Sequence, residues 1–159
     1  MKHPKRLIVL SIPVPAVFVV FVSAIFLVFR QVVSPEWAIH VDGHGNVTYG
    51  SWWALFLGSM AIALVALFLG QHLARDFSGL GHWYPQQKGI VVMCFAVGYG
   101  VLGFLISNML SALGAAETQD VEILMGYGLL GFVLTAILVG IVYTVLLPKA
   151  KKITRVTHR

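Results

Sequence analysis

The sequence predicts an all-α integral membrane protein, a four-transmembrane-helix bundle with a small extracytoplasmic β-hairpin between helices 1 and 2. Three observations predict it. Of the 159 residues, 58% are hydrophobic and 11% charged, where soluble domains carry roughly a quarter charged residues. Four long apolar runs, at residues 7–29, 52–70, 89–110 and 123–147, each approach or exceed the length that crosses a bilayer. Lys and Arg gather at the ends of those runs rather than inside them. One membrane domain over 1–148 and a basic tail over 149–159 account for the whole length.

The first run follows Lys2, Lys5 and Arg6. It is longer than a signal-peptide core and stays apolar past Val22-Ser23-Ala24, so it reads as a retained span. Pro13 and Pro15 each remove a backbone donor, which predicts a kink or a helix that starts at Pro13. Trp52 and Trp53 open the second run at the level where indoles favour the headgroup region. Gln71–Lys88 reads as a polar connection, broken by Gly79 and Gly81 and ending near Trp83-Tyr84-Pro85. Ser111–Glu122 reads as a short acidic loop with Glu117, Asp120 and Glu122, and Pro148 stops the fourth run.

Charge sets the expected orientation. Lys2, Lys5, Arg6, Arg75, Lys88 and the tail residues Lys149, Lys151, Lys152, Arg155 and Arg159 make ten of the eleven basic residues, leaving only Arg30 on the other side. The positive-inside rule then puts both termini in the cytoplasm and the two acidic loops outside. The tail also suits contact with anionic lipid. This distribution, with no basic patch among surface aromatics, argues against a nucleic-acid partner despite the net charge of +5. A single cysteine, Cys94, excludes an internal disulfide framework.

Pro35–Ser51 is the one sizeable polar stretch between two apolar runs. Trp37, Ile39 and Val41 alternate as if on one face of a strand, as do Val47 and Tyr49. Asp42-Gly43-His44-Gly45-Asn46 supplies turn residues between them, so the stretch predicts a hairpin over 35–51. His40, Asp42 and His44 have the i, i+2, i+4 spacing of a ligand set on an extended strand, with Glu36 near, but the turn interrupts that strand after Asp42. A contact surface of Pro35, Glu36, Trp37, His40, Asp42, His44 and Tyr49 is the better reading, with no metal and no cofactor.

Inside the runs, Gly98-Tyr99-Gly100-Val101-Leu102-Gly103-Phe104 recurs 28 residues later as Gly126-Tyr127-Gly128-Leu129-Leu130-Gly131-Phe132. Each copy is a literal G-x-G-x-x-G, but neither follows a strand, so dinucleotide binding is rejected. A potassium-filter reading of Gly-Tyr-Gly fails because it needs a re-entrant loop. The residues instead belong to small-residue stripes that let helices approach closely in lipid: Gly100, Gly103 and Ser107 on the third run, Gly128 and Gly131 on the fourth, and Ser59, Ala63, Ala66 and Gly70 on the second. No Asp, Glu, Lys, Arg or His falls inside the four runs, which argues against an ion-coupled transporter or an intramembrane enzyme. Asn108 and the tyrosines are the notable polar groups there, and hydrogen bonds between helices explain them.

Pro35-Glu36, His40, Gly45, Tyr49, Gly50 and Ser51, opening directly into a hydrophobic run, resemble the short signature of the SdpI-type bacterial membrane domain. Ala38 stands where that signature has a second proline, the spacing from Gly45 to Tyr49 is one residue short, and Trp52 replaces a basic residue. The resemblance implies a bacterial plasma-membrane protein and, by analogy with its named member, peptide-toxin immunity and signalling. The residues themselves point to a non-enzymatic accessory or regulatory subunit of a larger membrane assembly, such as a transporter complex, that contacts other integral membrane subunits. An SdpI-like sensor or immunity protein for an extracellular peptide is the alternative.

Overall fold

The computed structural model describes residues 12–33, 36–41, 44, 46–79, 83–118 and 121–150. The elements run α1 (Pro13–Phe29), β1 (Glu36–Val41), β2 (Val47–Ser51), α2 (Trp52–Gly79), α3 (Pro85–Thr118) and α4 (Val121–Leu146). Within α2, α3 and α4, the segments Trp52–Ser78, Pro85–Gly114 and Gly126–Leu146 are long and apolar enough to cross a membrane, as a membrane protein requires. Helix α1 is apolar and has 17 residues, about 26 Å of helix. It starts with proline at its first turn, where the missing N–H costs nothing. The residues before Ile12 that the expected 7–29 span includes lie outside the described residues.

Two expected connections are helix instead. Helix α2 continues past Gly70 to Gly79, and α3 runs from Pro85 to Thr118, through most of the stretch read as an acidic loop. The physical reason is that polarity ends a membrane span but not a helix. Gln71–Ser78 contains no proline or glycine, and His72 and Asp76, one turn apart at 3.4 Å, support the helix outside the apolar run. Pro85 opens α3, and the Gln87 side chain accepts the Tyr84 N–H at 3.0 Å, as a cap does.

Helix α3 is the centre. Helices α1, α2 and α4 all pack on it, α4 most extensively and α1 least. Over its membrane stretch 56% of α3 is buried, against 11% for α4. Val91, Phe95, Tyr99, Leu102, Leu105 and Met109 form its inward row, stepping by three or four residues.

The closest packing is between α3 and α4, and it is made of glycine. A methyl placed on Gly103 would meet the Thr135 side chain and, at 2.9 Å, the Gly131 carbonyl; one placed on Gly131 would meet Ser107 and, at 2.8 Å, the Gly103 carbonyl. Gly100 faces Phe132 and Ala136, and Gly128 faces Asn108. Gly103 and Gly131 hold the same place in the two copies of the repeat, as do Ser107 and Thr135. The repeat therefore folds back on itself, each copy packing on the other about a local two-fold axis. On its other side Gly98 meets Leu67 and the Ala63 carbonyl of α2, while Gly70 of α2 lies against Cys94 and Phe95. Cys94 is only part-buried.

Helix α1 is held differently, by rings. Phe26 stacks on Phe56 with centroids 4.0 Å apart and meets Trp53 edge-on at 5.2 Å; Phe29 meets Trp52 edge-on at 4.8 Å. Trp52 is buried, and Trp53 stays partly exposed under the Arg30 guanidinium, 4.9 Å from its ring. At the opposite end, Lys88 Nζ donates to the carbonyls of Thr144 at 2.7 Å and Leu147 at 3.1 Å. These are among the carbonyls a helix C-terminus leaves unpaired, and a cation there also suits the helix dipole.

Two outcomes follow. Gly103→Leu or Gly131→Leu will lower the thermal unfolding midpoint in detergent, by about 1–3 kcal/mol for overpacking alone. Gly140→Ala, with open space around it, will not lower it; equal losses at all three positions would refute the crossing. Lys88→Met will cost about 0.3–1 kcal/mol of stability, whereas Lys88→Arg will retain most of it, measured by the same unfolding scan.

Candidate functional site

The polar stretch between α1 and α2 forms a two-stranded antiparallel sheet. Its register pairs Glu36 with Ser51, Trp37 with Gly50 and Ala38 with Tyr49, then, after an irregularity between Ala38 and His40, His40 with Thr48 and Val41 with Val47. That extra residue breaks the uninterrupted alternation expected over Trp37, Ile39 and Val41. His40 takes the register position facing Thr48, and Val41 the one facing Val47. Glu36, His44, Asn46, Thr48, Tyr49 and Ser51 are exposed.

Local chemistry ties this sheet to the bundle. Strand β2 runs directly into α2, and the Ser51 hydroxyl accepts the Trp53 N–H at 3.2 Å, capping the helix it precedes. Strand β1 lies beside α4 and β2 beside α2, so the sheet sits over one end of the bundle.

Of the predicted surface, β1 and β2 carry Glu36, Trp37, His40 and Tyr49, and His44 lies between the strands. Pro35 and Asp42 lie outside the described residues. The candidate ligand set of His40, Asp42 and His44 includes Asp42 and so falls outside the described residues, among which no group of three His, Cys, Asp or Glu side chains comes together.

The buried polar groups of the bundle are few. Tyr99 and Tyr143 share a hydrogen bond at 3.4 Å between α3 and α4, with Phe95 stacked on Tyr143 at 4.5 Å and Phe18 edge-on to Tyr99 at 5.2 Å. Asn108, by contrast, donates to Phe104 O of its own helix at 2.8 Å, where a bond between helices is expected. Ser111 and Ser23 likewise donate to carbonyls of their own helices. A carboxamide or hydroxyl in a helix has such a carbonyl within reach, and the glycines opposite Asn108 offer no side-chain partner.

The two-fold crossing also exposes an asymmetry. Gly98 and Tyr99 are covered, Tyr99 to 4% exposure. Their counterparts on α4 are not: a methyl on Gly126 would meet nothing within 4 Å among the described residues, and Tyr127 is 50% exposed. Spacing alone could have found the repeat but not this difference, which depends on where α2 packs.

No protein-family model matches the chain, and no curated protein or solved structure does.

Ser51→Ala will lower stability by about 0.5–2 kcal/mol through loss of the cap, and Ser51→Asp will restore it. Both are read by thermal unfolding with helical circular dichroism.

Proposed function

We propose that this protein is a non-enzymatic accessory or regulatory subunit of a larger assembly in a bacterial plasma membrane, with both termini cytoplasmic. The observation that carries the reading is the uncovered half of the two-fold crossing. Helix α2 packs on the Gly98 and Tyr99 face of α3, and among the described residues the matching Gly126 and Tyr127 face of α4 has no such cover. A partner's transmembrane helix packing there would make the contact that α2 makes on α3, by the close approach small residues permit in lipid. The exposed strand pair supplies a second contact at the end of the bundle that would lie outside the cell, and a transporter complex is one assembly of this kind.

A second reading is favoured by the sheet itself. Each strand of a two-stranded sheet keeps one edge without a strand partner, and an extended peptide can add to such an edge through main-chain hydrogen bonds. An SdpI-like sensor or immunity protein would use that edge, with Glu36, His40 and Tyr49 setting specificity.

Mild-detergent purification from native membranes, followed by mass spectrometry, separates the two. The subunit reading predicts a stoichiometric integral membrane partner that Gly126→Trp releases while the fold persists. A chain that stays monomeric with no co-purifying protein overturns it. The sensor reading predicts that Tyr49→Ala abolishes peptide binding and leaves assembly intact.

A further inference from the structure

We draw no further inference here: the strongest candidate, the apolar groove between α1 and α3 bounded by Phe21, Val28, Met109 and Leu113, carries nothing because its lining holds no polar side chain that would select an occupant and nothing in the structure shows what covers it.

Discussion

The contact on which this structure depends is backbone against backbone, where α3 crosses α4. In lipid there is little to gain from moving an apolar side chain off the hydrocarbon and onto another helix, so close packing must hold helices together. Gly103 and Gly131 remove the side chains that would keep the two backbones apart, and each presents its carbonyl to the other's α-carbon. Such approaches favour weak C–H···O contacts as well as dispersion. Because the same short sequence supplies both sides, Ser107 and Thr135 fall into equivalent places over the opposite glycine. Helix α2 then approaches α3 through a second pair of glycines, Gly70 and Gly98, on a different flank. Helix α1, which brings no glycine, is kept at ring distance by Phe26 and Phe29. The bundle is therefore graded, tight on the α4 side of α3 and loose on the α1 side.

How much of this was legible in the sequence depends on which physics sets each feature. Apolar runs report where lipid touches the chain, so the three later helices are legible as membrane helices. Their ends are not, because hydrogen bonding in the backbone continues where hydropathy stops: Arg75 and Asp76 sit in α2, and Ser111 to Thr118 in α3. The small-residue stripes are legible as close-packing faces, and Gly100, Gly103, Gly128 and Gly131 are found at one crossing. Gly98 belongs to another face altogether, about 200° around the helix from Gly100, and only the packing of α2 shows it. Asn108 illustrates the limit for polar groups. Its type demands a hydrogen bond but does not say with whom, and it is the carbonyl one turn back that accepts it.

The strand pair is a similar mixture. Alternation between apolar and polar residues is readable, but a single extra residue between Ala38 and His40 reverses the alternation downstream, and no residue type there announces it. Its consequence for function is direct, since it moves His40 and Val41 to register positions opposite those a regular strand assigns. The groove between α1 and α3 has no local sequence signal at all. It exists because one helix is spaced by rings and the others by glycines.

Helix lengths carry one more consequence. Helix α3 has 34 residues, about 51 Å, while α1 and α4 have 17 and 26, about 26 and 39 Å. A bilayer of about 30 Å hydrocarbon thickness accommodates the longest of these by tilt and by protrusion into both headgroup layers. Since α3 bears the other three helices, its tilt rotates the whole bundle, and the strand pair with it. The thickness of the surrounding membrane thus becomes a variable that sets the angle at which the strand surface meets whatever lies above it.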